Sequence, residues 1–204
     1  MGMPEERLIP KSLRTVLTVD VYLTNAFVNL MEKYLPLEQS EIHYKLLELS
    51  CHSIPWFTTI LMLIWMLHSK SLFQMQVNLM IGLLIDALVV CALKAIIRRR
   101  RPSFSNNIFF IGPDKYSFPS GHASRATFIT YFFFYIWPIS LIFASLLLLW
   151  SVSVCLSRLL MRRHHILDVF FGILLGILEG LIVDYIYLEQ ETCVNLVSRI
   201  FTDI

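Results

Sequence analysis

From Leu72 to Leu93 the chain carries one charged side chain, Asp86, and the apolar run continues to Ile97 before it ends at Arg98, Arg99, Arg100 and Arg101. A helix needs about 20 predominantly apolar residues to cross the hydrocarbon core of a bilayer. Residues 72–97 therefore predict a membrane-spanning helix, and residues 52–68, 121–137, 139–160 and 165–188 predict further ones. His68, Ser69 and Lys70 make a tight polar turn between the first two, and Trp137–Pro138 breaks 121–137 from 139–160. Composition agrees: 56% of the 204 residues are hydrophobic, against about 45–50% for a soluble domain, and mean hydropathy is +0.65. The expectation is an all-α integral membrane bundle with five or six transmembrane helices, a flexible N-terminus over 1–11 and a single domain over 12–204. The polar first dozen residues do not read as a secretory leader.

Residues 12–34 leave two readings open. Leu13, Val16, Leu17, Leu23, Phe27, Leu30 and Met31 are apolar, and Asp20, Asn25 and Asn29 interrupt them. The segment is either an interfacial amphipathic helix or a first span packed inside the bundle.

The informative polar residues gather at the ends of the apolar runs, since a charge in mid-membrane is costly. Lys94–Pro102, KAIIRRRRP, closes one run. Pro119–His122, PSGH, opens the next. Ser157–Asp168, SRLLMRRHHILD, joins the last two. Following the chain across the membrane puts all three on one side. The 72–97 span ends there, the 98–120 loop returns from there, and 121–137 and 139–160 cross and cross back. A lysine, several arginines, a serine beside a glycine and two separate histidines thus converge as an oxyanion-binding and acid–base set.

Within the third stretch, read as one helical run, His164 and Asp168 stand four apart and share a face. A histidine whose second nitrogen donates to a carboxylate is fixed in one tautomer, its other nitrogen free as nucleophile or base. Arg158 can hold a phosphate, His164 can attack it and Asp168 can orient His164. Taken alone, the pair reads equally as a polar contact at a helix end. His165, three residues from Asp168, is within the same reach.

Other features have structural readings. Cys51, Cys91, Cys155 and Cys193 are scattered, with no CxxC spacing for zinc or redox chemistry. Gly172, Gly176 and Gly180, each four from the next, permit close approach of another helix. Packing within the chain is the first reading, and a homo-oligomer through these glycines is the second. Asp86 and Glu179 sit inside spans and are expected to make local structural pairings. His43, His52 and His68 read as ordinary surface or interface residues. Beside a membrane helix, the arginine clusters fit anionic lipid headgroups better than nucleic acid.

The three stretches together resemble the type 2 phosphatidic acid phosphatase (PAP2) superfamily, whose pattern is KxxxxxxRP, then PSGH, then SRxxxxxHxxxD. Lys94 to Arg101–Pro102, Pro119–His122, and Ser157–Arg158 to His164 to Asp168 match it at every position. The wider stretch Gly112–Ala126, GPDKYSFPSGHASRA, resembles the branch acting on polyisoprenoid diphosphates such as presqualene and farnesyl diphosphate. The resemblance implies that Lys94, Arg101 and Arg158 grip the phosphoryl oxygens, with Ser120 and the Gly121 amide completing the cradle. It implies His164 as nucleophile, Asp168 as its orienter and His122 as the general acid. It further implies a lipid phosphate substrate and a location in the endoplasmic reticulum and nuclear envelope.

The residue chemistry agrees with those roles. Phosphoryl transfer needs charge stabilisation on the equatorial oxygens and in-line positioning. A lysine and two arginines supply the charge, so neither cofactor nor metal is expected. Arg98, Arg99, Arg100, Arg162 and Arg163 are surplus to the pattern, and bind a second phosphate, bind headgroups or are solvated. Competing readings are a broad-specificity phosphatidate and lysophospholipid phosphatase, a catalytically silent scaffold and a phosphotransferase that passes the phosphoryl group to an alcohol. Vanadate-dependent haloperoxidases share the phosphate-site pattern but are soluble. The absence of internal repeats disfavours a transporter.

Overall fold

The computed structural model describes residues 10–34, 41–67, 69–102 and 115–200. Most of the 1–11 segment, His68 and the Gly112 end of the wider PSGH stretch lie outside the described residues. Eight α-helices occur among the described residues: α1 Lys11–Tyr34, α2 Glu41–Ser50, α3 Ser53–Leu67, α4 Lys70–Ile97, α5 Gly121–Tyr131, α6 Leu141–Leu160, α7 Ile166–Tyr185 and α8 Gln190–Ile200. The fold is an all-α membrane bundle. By length and composition α4, α6 and α7 can each cross a bilayer, and α2 with α3, bent by 51° at their junction, can form a fourth span.

The spans expected at 121–137 and 139–160 come out unequal. The first is α5, eleven α-helical residues continued by a π-helical turn over Phe132–Ile136. It is the central helix, packed against α4, α6 and α7, and Ser124, Arg125 and Thr130 are buried along it beside Phe128 and Ile129. A helix enclosed by protein needs no continuous apolar surface. By contrast α6 has a largely apolar outer face, with Leu141, Ile142, Phe143 and Leu149 exposed.

The glycine stripe of α7 is what lets α5 sit so close. A Cβ on Gly172 would press on the Ser120 carbonyl, one on Gly176 on the Ser124 carbonyl and Phe128 amide, and one on Gly180 on the Tyr131 ring. All three glycines are buried in this contact, so the stripe serves packing within the chain.

The two intramembrane acids have local partners, as expected. Asp86 Oδ2 lies 2.7 Å from an Arg125 guanidinium nitrogen. Glu179 Oε2 accepts from the Ser124 hydroxyl at 3.0 Å. Arg125 also donates to the Cys51 carbonyl at 2.9 Å, which ties α5 to the α2–α3 corner. Cys51, Cys155 and Cys193 are buried, as small core hydrophobes are, and Cys91 is exposed.

For α1 the structure favours the interfacial reading. Its polar stripe docks on the α6–α7 connection: Asp20 accepts from the Leu167 amide and Thr24 from the Ile166 amide. Arg162 donates to Asn25, Asn29 and Glu32. Asp20 and Glu32 are about 18 Å apart along a helix, yet both reach this one short connection. α1 therefore lies along the end of the bundle instead of threading it.

Candidate active site

The end of the bundle under α1 is built from three chain reversals. α4 stops at Arg98, which adopts a left-handed conformation (φ 53°) and returns its amide to the Lys94 carbonyl at 3.1 Å, closing the helix. Lys94 is buried in this last turn. The chain beyond pairs with the segment entering α5: Arg100 and Tyr116 form an isolated antiparallel bridge. Ser117 N donates to the Arg99 carbonyl at 2.8 Å.

Ser120 N-caps α5, its hydroxyl facing the Ala123 amide at 3.5 Å, while its own amide donates to the Asp168 carbonyl at 3.0 Å. Gly121 follows. A Cβ there would meet Val90 on α4 at 3.0 Å, so the missing side chain brings the α5 N-terminus, a natural anion site, against the last turns of α4. His122 stands in the first turn of α5, its Nε2 buried and without a hydrogen-bond partner among the described residues.

The third reversal corrects one sequence expectation. Residues 157–168 are not one helical run: α6 ends at Leu160, Arg162 turns left-handed (φ 51°), and α7 begins at Ile166. His164 lies in this connection, so its four-residue spacing from Asp168 does not place the two on a shared helix face. His164 Nδ1 is 2.8 Å from the Ser117 carbonyl and 3.9 Å from Asp168 Oδ2. A carbonyl only accepts, so Nδ1 carries the proton and the Nε2 lone pair is available. Asp168 instead turns back on the start of α7: its Oδ2 accepts the His165 amide at 2.8 Å and stands 3.3 Å from His165 Nδ1. Its Oδ1 accepts from Arg99 at 2.7 Å.

Arg158, 1% exposed, closes the site from α6. Its guanidinium lies 3.2 Å from Glu48 Oε1 on α2, with a long contact to the Ser157 hydroxyl and another to the Met161 sulfur. Burial and the facing Arg101 hold the His164 imidazole well below the ordinary histidine value of 6.5, with Lys94 and Arg158 acting in the same direction and Asp168 against them. His122 faces Arg158, Arg125, His164 and Lys94. The predicted cations and both predicted histidines thus share one electrostatic site. Among the described residues no three His, Cys, Asp or Glu side chains form a metal-ligand set.

The family model described as the PAP2 superfamily matches residues 75–191, more than half of the chain and every predicted site residue. The chain belongs to the PAP2 superfamily. A curated relative, the "Probable lipid phosphate phosphatase beta" of Arabidopsis thaliana, is 33% identical over 140 residues, 55% of this chain and 66% of that one. The chain therefore spans slightly less than two thirds of that relative's length. Among solved structures, LpxE of Aquifex aeolicus aligns at a TM-score of 0.62 and 20% identity, over 89% of this chain and 98% of that one, a likeness of fold.

Against the PAP2 pattern, sequence reasoning missed Ser117, Arg99, Asp20 and Thr24. Ser117 acts through its carbonyl, which no side-chain pattern encodes. Asp20 had a signal, being an acid that interrupts an otherwise amphipathic helix, but its partner lies 79 positions away.

The low basicity of His164 has a measurable consequence. A depressed imidazole is neutral, hence nucleophilic, throughout the range in which free histidine titrates. NMR of histidine-labelled protein is expected to show the His164 ring neutral, protonated on Nδ1, at pH 6.5, with titration only at lower pH. A midpoint at or above 6.5 would reject the buried, cation-faced environment.

Proposed function

We propose that this PAP2 member is a membrane lipid phosphatase that hydrolyses polyisoprenoid diphosphates and monophosphates through a phosphohistidine. The observation that carries the reading is the meeting of Lys94, Arg101 and Arg158 around two histidines at one end of a membrane bundle. The phosphoryl group sits over the α5 N-terminus, its oxygens held by those cations, Ser120 and the Gly121 amide. His164 Nε2 attacks phosphorus, forming the P–N bond as the P–O bond to the lipid breaks. His122 gives its proton to the departing oxygen. Water then attacks the phosphohistidine as His122 takes back a proton, and inorganic phosphate leaves. A diphosphate loses its terminal phosphate first, giving the monophosphate and then the alcohol.

The preference for isoprenoid diphosphates rests on the resemblance of Gly112–Ala126 and on the surplus arginines. Arg99 and Arg162 are committed to ion pairs within the fold. Arg100, exposed and bridged to Tyr116, the neighbour of Ser117, is the better placed to meet a second phosphate. A charge-assisted hydrogen bond there contributes about 1.5–3 kcal/mol, which is roughly one to two powers of ten in kcat/KM if fully expressed in the transition state. The endoplasmic reticulum and nuclear envelope are proposed as its membranes on the same resemblance.

The test is phosphate release by purified protein in matched micelles, comparing farnesyl diphosphate, presqualene diphosphate, phosphatidate and sphingosine phosphate at equal surface fraction. Isoprenoid diphosphates are expected to lead. Turnover is expected to survive EDTA and to be inhibited by vanadate, whose five-coordinate adduct mimics the transition state. A phosphatidate value at or above the diphosphate values would reject the substrate preference. No release from any of the four would reject lipid phosphatase activity itself.

A further inference from the structure

We propose that Arg99 and Asp20, neither of them in the superfamily pattern, are positioning residues that join the interfacial helix α1 to the histidine nucleophile. The proposal rests on the phosphatase reading above. Arg99 sits where all three reversals cross. Its guanidinium spans two buried carboxylates, Asp168 Oδ1 at 2.7 Å and Asp20 Oδ2 at 2.5 Å, with side-chain exposures of 0% and 3%. Its backbone carbonyl takes the Ser117 amide at 2.8 Å. The Ser117 carbonyl in turn holds His164 Nδ1. One residue therefore fixes the nucleophile through its main chain and the neighbouring carboxylate through its side chain.

Asp20 completes the arrangement from α1. The first amides of a helix have no partner within it. At the start of α7 they are taken up in turn: His165 N by Asp168 Oδ2 at 2.8 Å, Ile166 N by the Thr24 hydroxyl at 3.1 Å and Leu167 N by Asp20 Oδ1 at 3.0 Å. Thr24 is itself held, donating to the Asp20 carbonyl at 2.7 Å. The stretch that delivers His164 is thus clamped by a helix 130 or more positions earlier in the chain.

Position and charge act together here. Asp168 Oδ2 is 3.9 Å from His164 Nδ1, and an unbalanced carboxylate at that distance favours the imidazolium, which cannot attack phosphorus. Arg99 balances it. Among the described residues the other charged or titratable groups facing His164 are Arg101, Lys94, Arg158 and His122, and none of them is altered by substituting Arg99.

The experiment compares wild type, Arg99→Gln, Arg99→Lys and Asp20→Asn as full-length protein in nanodiscs. It measures kcat and KM for farnesyl diphosphate and, without substrate, the His164 titration by NMR. Loss of a partner that orients a metal-ligating histidine lowers activity about 10–100-fold, and the same range is expected for a partner that orients a histidine nucleophile. Arg99→Gln is expected to lower kcat by that factor with KM held within about threefold, and to raise the pH at which His164 titrates. Arg99→Lys restores the charge but reaches only one carboxylate, so the titration should return toward wild type while kcat recovers only in part. A scaffold role alone would lower kcat with folded content and leave the titration unmoved. A folded Arg99→Gln protein with wild-type kcat, or with an unmoved His164 titration, overturns the proposal.

Should Arg99→Gln fail to fold, Asp20→Asn decides. Asparagine offers one acceptor oxygen in place of two, so either Leu167 N or Arg99 loses its partner. About a tenfold fall in kcat is expected, and wild-type kcat in folded Asp20→Asn protein overturns the proposal. Inactive wild type would sink the phosphatase reading, while the titration arm, which needs no substrate, still judges the role of Arg99.

Discussion

His164→Ala is expected to abolish turnover in a protein that still folds. The loop around His164 is held by its backbone: the His164 amide returns to the Arg158 carbonyl at 3.3 Å and the Arg163 amide to the same oxygen at 3.1 Å. Alanine keeps both. What it removes is an imidazole whose Nδ1 proton is committed to a carbonyl and whose Nε2 is left to attack. Loss of a covalent nucleophile typically costs about 10⁴-fold or more in kcat. Radiolabelled substrate should leave no acid-labile phosphohistidine on the variant. His165→Ala is the internal control, because His165 lies against Asp168 in the N-terminal turn of α7, and it should retain measurable turnover. If His165→Ala is the dead variant and His164→Ala the active one, the nucleophile has been assigned to the wrong ring.

The contrast between these two histidines shows what was legible in the sequence. The three-part pattern and the chain topology together brought Lys94, Arg101, Arg158, His122 and His164 to one end of the bundle, because charge placement at the ends of apolar runs is a strong physical constraint. The local geometry inside the third segment was not legible. Spacing by itself treats 157–168 as a helix, whereas the run breaks after Leu160 and resumes at Ile166. That break frees Asp168 to cap α7 and hands the orienting of His164 to the Ser117 carbonyl. Burial was not legible either. The 121–137 run reads as an ordinary span, but its Ser124, Arg125 and Thr130 belong to a helix enclosed by protein. The α7 glycines pointed correctly to close packing, and only the coordinates show that the partner is α5 of the same chain. The two readings of α1 could be separated only by its polar partners, Arg99, Arg162, Ile166 and Leu167, at the site end.

Arg125→Met is expected to destabilise the bundle by about 3–5 kcal/mol, the usual cost of breaking a buried ion pair by removing one partner. Arg125 reaches Asp86 on α4 at 2.7 Å and the Cys51 carbonyl at the α2–α3 corner at 2.9 Å. Its neighbour Ser124 reaches Glu179 on α7 at 3.0 Å. Asp86 is fully buried and Glu179 is 1% exposed, so without the guanidinium two carboxyl groups share the bundle interior with the more distant Lys94 charge. The cost comes from the orphaned acid more than from the lost attraction, and this makes the prediction testable in a second way. Asp86→Leu combined with Arg125→Met removes both charges and fills much of the space with apolar atoms. The double variant is expected to be more stable than Arg125→Met alone, because replacing a whole buried pair by hydrophobic side chains is often neutral or stabilising. Unfolding of purified protein by titration with sodium dodecyl sulfate, followed by helical circular dichroism, measures both. A loss under about 1 kcal/mol for Arg125→Met, or a double variant less stable than the single one, would mean that the α4–α5–α7 contact is held by the glycine stripe and apolar packing instead of by this pair. Because Gly121 and His122 begin the same helix, loosening of α5 should also reach the site as a fall in kcat/KM for protein that remains folded.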